Sequence, residues 1–82
     1  MLIVETFPIA EVRVPAKRKK TLDAQKVQEI AEDILENGQL TPIRLRADKT
    51  DFVLLEGYHR LEALRALGED TVKGYLVRAQ LH

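Results

Sequence analysis

The stretch that decides the fold is Phe52–Gly68, FVLLEGYHRLEALRALG, in a chain of 82 residues. Its first four residues, Phe52–Leu55, are all apolar, which predicts a strand buried on both faces and central in its sheet. Gly57 then allows a sharp turn, and leucines at every third position mark the buried side of a helix that Gly68 ends. The stretch therefore predicts a strand that runs directly into a helix.

Upstream of this stretch, a second amphipathic helix is predicted between Asp23 and Gly38. Asp23 is a suitable N-cap, because its side-chain oxygen can accept from the free amides of the first turn. Asn37-Gly38 supplies the left-handed residue that ends the helix. One helical face is apolar: Val27, Ile30, Ala31, Ile34 and Leu35. The opposite face is acidic and is predicted to be solvated: Glu29, Glu32, Asp33 and Glu36.

The remaining segments complete a small sheet. Residues 43–46 alternate between apolar and charged, which predicts a half-buried strand, and the polar turn at 47–51 joins it to the next strand. Further strands are predicted at 2–6 and 72–77, and the basic run at 17–20 is predicted to be a loop. The order strand, helix, hairpin, helix, strand predicts one compact α+β domain over residues 1–82, with a small mixed sheet and two main helices.

Composition excludes several functions. The chain has no cysteine and no serine, which removes disulfides, thiolate zinc sites, cysteine nucleophiles and Ser-His-Asp catalysis. Its two histidines lack metal-ligand spacing, so no metal site is predicted. Lys plus Arg and Asp plus Glu number 13 each. The short apolar runs and the absence of a basic n-region indicate a cytoplasmic protein without a membrane segment.

The junction Glu56-Gly57-Tyr58-His59-Arg60 carries the chemical signal. The first turn of a helix has unpaired N–H groups and a partial positive charge, so His59 and Arg60, whose side chains can carry positive charge, oppose the helix dipole there. An anion that accepts from the amides and the side chains would remove this conflict, and phosphate suits both. The alternative is an exposed helix start without a ligand.

These residues resemble the ParB/sulfiredoxin superfamily. Phe52–Gly68 is similar to its second signature box, in which a strand ends in a G-E-R-R or G-C-H-R turn; this chain has G-Y-H-R at 57–60. Leu22–Gln28 resembles the start of the sulfiredoxin helix, and Gly38–Ile43 resembles the family's G-x-x-x-P-I run. Thr71–Val77 suits the family's last strand, so the resemblance covers roughly residues 5–78.

The resemblance implies a site for ATP or another nucleoside phosphate. Its residues would be the backbone of Gly57 and Tyr58, the side chains of His59 and Arg60, and Lys26 in the upstream helix. Arg18 matches an upstream family arginine, although the N-P-x-Q-P-R pattern around it is missing. The positive pocket is completed by Lys26, with Arg18 or Lys20 as further candidates.

Differences from the family pattern limit the reactions that this chain could catalyse. Tyr58 replaces the sulfiredoxin cysteine, which excludes a cysteine-dependent sulfiredoxin. Glu29 and Asp33 would lie near a triphosphate, which suggests Mg²⁺ or a different placement of the nucleotide. Glu56 resembles the acidic residue of free-serine kinases, so it is the candidate base for an ATPase or a kinase-like phosphotransferase.

Two other function classes stay open at this point. The basic run Lys17, Arg18, Lys19 and Lys20 could contact DNA, as in a partition-related module. Alternatively, the domain is a scaffold that binds no ligand. The sequence determines neither the preferred base nor the oligomeric state.

Overall fold

The computed structural model describes residues 3–77, which form one five-stranded mixed sheet, three α-helices and one short 3-10 helix at Ile9–Glu11. The elements, in chain order, are β1 (Val4–Pro8), β2 (Val12–Arg13), α1 (Ala16–Lys19), α2 (Ala24–Asn37), β3 (Ile43–Asp48), β4 (Asp51–Glu56), α3 (Tyr58–Ala66) and β5 (Thr71–Leu76). The strand order is β1-β5-β3-β4-β2. The β1–β5 and β3–β4 pairs are antiparallel, and the β3–β5 and β2–β4 pairs are parallel. The predicted α+β fold with a small mixed sheet is confirmed.

Both main helices were predictable from local signals. The Asp23 carboxylate accepts from the amides of Gln25 and Lys26, so it caps α2 as the sequence indicates. Gly38, with φ of 74°, follows the last residue of α2 and donates its amide to the Ile34 carbonyl. The four acids on the outer face of α2 are exposed, as expected of a solvated face.

The basic segment was predicted incorrectly as a loop. Residues 16–19 form the single helical turn α1, which begins after Pro15. Proline pre-sets the backbone at a helix start, and the Thr21 amide and hydroxyl both bond the Arg18 carbonyl at the other end. β2 was also missed, because two residues are too few to show a pattern, and their pairing with β4 is nonlocal.

The core lies between one sheet face and the two main helices. Along β3, Ile43 and Leu45 are buried under the helices, whereas Arg44 and Arg46 lie on the opposite, open face. β4 lies between β3 and the short edge strand β2, and Val53 and Leu54 are both buried, so its predicted burial is confirmed. The middle strand of the sheet, however, is β3 rather than β4. Leu61 and Leu64 bury the inner side of α3, as their spacing predicts. Within residues 3–77, no helix combines the length and the apolar character needed to cross a membrane.

Candidate functional site

The site is built around Gly57, the residue between the buried strand β4 and α3. Its φ of 104° and ψ of 31° lie in the left-handed region, which side chains rarely adopt. A Cβ atom at this position would lie 2.6 Å from Cγ2 of Ile43, inside contact distance. Only glycine can therefore bring the strand end this close to β3 and turn the chain directly into α3.

The first turn of α3 has free amide donors. Gly57 supplies no capping side chain, and no acidic residue lies in the first turn. The first intrahelical bond runs from the Leu61 amide to the Gly57 carbonyl at 2.9 Å, which leaves the preceding amides without a helical partner. Both the partial charge and the donors at this helix start therefore favour an anion.

His59 joins the starts of α2 and α3. Its Nε2 atom accepts a hydrogen bond from the Asp23 amide at 3.1 Å. An imidazole nitrogen that accepts carries no proton, so this contact places the ring proton on Nδ1. His59 therefore offers one N–H to a ligand while its other nitrogen helps to hold the start of α2.

The four basic side chains at 17–20 do not converge on one site. The Arg18 guanidinium donates to the Leu55 carbonyl at the end of β4, which ties α1 to the strand that precedes Gly57. Lys19 lines a separate cavity beside Tyr58. Lys17 and Lys20 are exposed, as is Lys26 on α2, and none of the three side chains bonds another described residue.

Arg60 lies on a different side of α3 from His59. It borders a cavity of about 420 Å³ where β3 begins and β4 and β5 end. The side chains around this cavity are Thr41, Pro42, Arg44, Glu56, Arg60 and Tyr75. Arg44 Nη1 lies 3.1 Å from Glu56 Oε2, and Arg60 has no ion pair among the described residues. Glu56 is 66% exposed, so the candidate base is a solvated, paired carboxylate, and its catalytic role stays a prediction.

Tyr58 faces a third direction, toward β2 and α1. Its side chain is 8% exposed and borders a cavity of about 370 Å³ that also touches Arg13, Lys19, Glu62 and Arg65. Successive helical residues are turned by about 100°, so the three neighbours Tyr58, His59 and Arg60 cannot share one direction. Within residues 3–77, no three His, Asp or Glu side chains are grouped as metal ligands.

Arg44 and Tyr75 were missed by sequence reasoning. The alternation in β3 places Arg44 on the outer face, but its neighbours depend on strand register. Arg44 pairs with Glu56 of β4 on one side and with Tyr75 of β5 on the other. No local signal reports these two partners, because they lie 12 and 31 positions away in the sequence.

The sequence of this chain matches a known domain family and a named relative. The sequence profile of the ParB N-terminal domain matches residues 2–81. A probable chromosome-partitioning protein ParB from Campylobacter jejuni is 31% identical over 62 residues, which cover 76% of this chain. The match spans only 22% of that relative's length.

Two solved structures have the same fold. Sulfiredoxin from Arabidopsis thaliana is 26% identical, with a TM-score of 0.84 over 94% of this chain and 86% of its own. A C-terminally truncated ParB from Caulobacter crescentus, complexed with CTP-γ-S, is 22% identical, with a TM-score of 0.76. That match covers 96% of this chain and 45% of the other.

Proposed function

Because this chain belongs to the ParB N-terminal domain family, we propose that it binds a nucleoside phosphate at the start of α3. The observation that carries the proposal is the uncapped first turn of α3, which begins at a glycine that tolerates no side chain. The ParB from Caulobacter crescentus, which shares this fold, was solved with a cytidine triphosphate analogue. Family and geometry therefore support the same ligand class.

The proposed phosphate contacts follow from the directions of the side chains. The α3 amides donate hydrogen bonds to the phosphate oxygens, together with Nδ1–H of His59 on the α2 side and the Arg60 guanidinium on the β3 side. Arg18 contributes by holding the end of β4 through the Leu55 carbonyl, and Lys20 and Lys26 add exposed positive charge. A divalent ion such as Mg²⁺ would accompany the phosphates as part of the ligand. Hydrolysis would use a water molecule as the phosphoryl acceptor, with Glu56 as the candidate base that takes its proton.

Arg60→Ala is expected to weaken binding of ATP and CTP by about ten- to a hundredfold, the loss of one charge-assisted hydrogen bond. Calorimetric titrations with and without Mg²⁺ measure this directly. Arg46→Ala is the matched control, because Arg46 is exposed on the open sheet face and bonds no described residue. Equal affinities for both variants would contradict the proposed site. No binding by the wild type at millimolar nucleotide would favour a scaffold without a ligand.

The second candidate function is DNA binding in a partition-related module. Its supporting observations are family membership and three exposed lysines, Lys17, Lys19 and Lys20, in and directly after the single turn of α1. Arg18, by contrast, is bonded to the Leu55 carbonyl, so the run presents fewer cations than the sequence suggests. This candidate therefore has less structural support than the nucleotide site.

If the basic segment binds DNA, the double variant Lys17→Ala/Lys20→Ala should weaken binding to all sequences alike. The slope of log affinity against log salt should fall by about two, because each phosphate contact contributes nearly one. Gel shifts over a salt series measure the slope. The double variant Arg46→Ala/Lys73→Ala removes the same charge from the sheet and serves as the control. An unchanged slope in the first variant would exclude this segment as the DNA contact.

A further inference from the structure

We propose that the cavity beside Arg60 holds the nucleoside, with the ring of Tyr75 as the platform for the base. This inference rests on the nucleotide site proposed above and assigns the part of the ligand that the phosphate contacts leave unplaced. The cavity adjoins the proposed phosphate site, because Gly57 and Arg60 line the cavity and also form the start of α3. A ligand whose phosphate lies on the α3 amides would therefore border this cavity at Gly57 and Arg60.

The size and walls of the cavity suit a nucleoside. Its volume of about 420 Å³ lies within the range of about 300–1,000 Å³ typical of small-molecule sites. Pro42 and the half-buried Tyr75 provide apolar and aromatic surface on which a base can stack. The Thr41 hydroxyl and the Glu56 carboxylate provide polar groups for the edges of a ribose or a base.

The Arg60 cavity differs from the cavity beside Tyr58 in the surface that it offers to a base. The Arg44–Glu56 pair is neutral as a unit, so Arg60, at the phosphate end, is the one cation of the cavity without a described ion partner. In the cavity beside Tyr58, Arg13 pairs with Asp48 and Arg65 pairs with Glu62, which leaves Lys19 as the one cation there without a described ion partner. Tyr58 is also buried, so its ring offers little surface for stacking. The two cavities therefore have similar charge, and only the Arg60 cavity offers aromatic surface to a base.

The test compares nucleotides with inorganic tripolyphosphate, which is the phosphate chain without the nucleoside. Tyr75→Ala is expected to weaken ATP and CTP binding about tenfold, the usual scale of one lost stacking contact, and to leave tripolyphosphate affinity unchanged. Tyr75→Phe keeps the ring and should bind nucleotides like the wild type. Nucleotide affinity that is unchanged in Tyr75→Ala would overturn the inference.

A second measurement requires no change at Tyr75. The chain contains two tyrosines and no tryptophan, so Tyr58→Phe leaves Tyr75 as the only strong emitter. In that variant, ATP or CTP should quench tyrosine emission with a saturating dependence, and tripolyphosphate should not; free tyrosine amide corrects for absorption by the nucleotide. Binding of nucleotide without quenching would overturn the Tyr75 assignment and leave the phosphate site intact. A wild type that binds neither nucleotide nor tripolyphosphate would overturn both proposals.

Discussion

Gly57→Ala is expected to lower the free energy of unfolding by about 3–5 kcal/mol, a large share of the stability of a domain this small. Two costs add at this position. The backbone has φ of 104°, which is strained for any residue with a side chain. The new methyl group would also meet Ile43, with Cγ2 at 2.6 Å and Cβ at 2.9 Å. Urea denaturation followed by circular dichroism measures the loss.

Substitutions at two other glycines measure the cost of backbone strain without steric overlap. Gly38 and Gly68 also have positive φ, at 74° and 79°, but a Cβ atom at either position would meet nothing within 4 Å. Gly38→Ala and Gly68→Ala should therefore cost only the backbone strain, about 1–3 kcal/mol. If Gly57→Ala costs no more than these two variants, the close approach to Ile43 does not constrain the turn.

Ile43→Ala is expected to lower the free energy of unfolding by about 2–5 kcal/mol, the usual cost of truncating a buried aliphatic side chain. Ile43 is 1% exposed and lies where β3, the Gly57 turn and Gly74 of β5 meet. Truncation removes apolar contacts and leaves a cavity under the start of α3. The same denaturation experiment measures the effect.

A double variant that carries both Gly57→Ala and Ile43→Ala tests the contact between these two residues. Ile43→Ala removes Cγ2, the atom nearest to the methyl group that Gly57→Ala adds. The double variant should therefore be more stable than the sum of the single changes predicts, by about 1 kcal/mol or more. Ile43→Ala combined with Gly68→Ala should be additive, because no Ile43 atom lies near Gly68. Additivity in both pairs would contradict the proposed contact.

Substitutions at Gly57 should also affect ligand binding, because the geometry of the α3 amides depends on the turn at Gly57. A variant that folds but shifts this turn should lose affinity for tripolyphosphate as well as for nucleotide. Tyr75→Ala, by contrast, should affect only the nucleotide. The two substitutions therefore report on different parts of the proposed ligand site.

The sequence by itself determined the elements whose signals are local. Asp23 and Gly38 bound α2, and Gly57 marks the start of α3, because capping and left-handed turns depend on a few adjacent residues. The free amides at the start of α3, on which the proposed phosphate site rests, follow in the same way, because the first amides of every helix lack helical partners. The family resemblance was recognisable for the same reason: its motifs are short and contiguous.

Only the tertiary structure decided which side chains meet. Tyr58, His59 and Arg60 are adjacent in the sequence, yet they face β2, α2 and β3, because each helical residue is turned about 100° from the last. Arg44 and Tyr75 reach the Arg60 cavity through strand register, which joins distant segments. Strand pairing and helix placement depend on burial of the whole core, a nonlocal free energy that no short stretch of sequence contains.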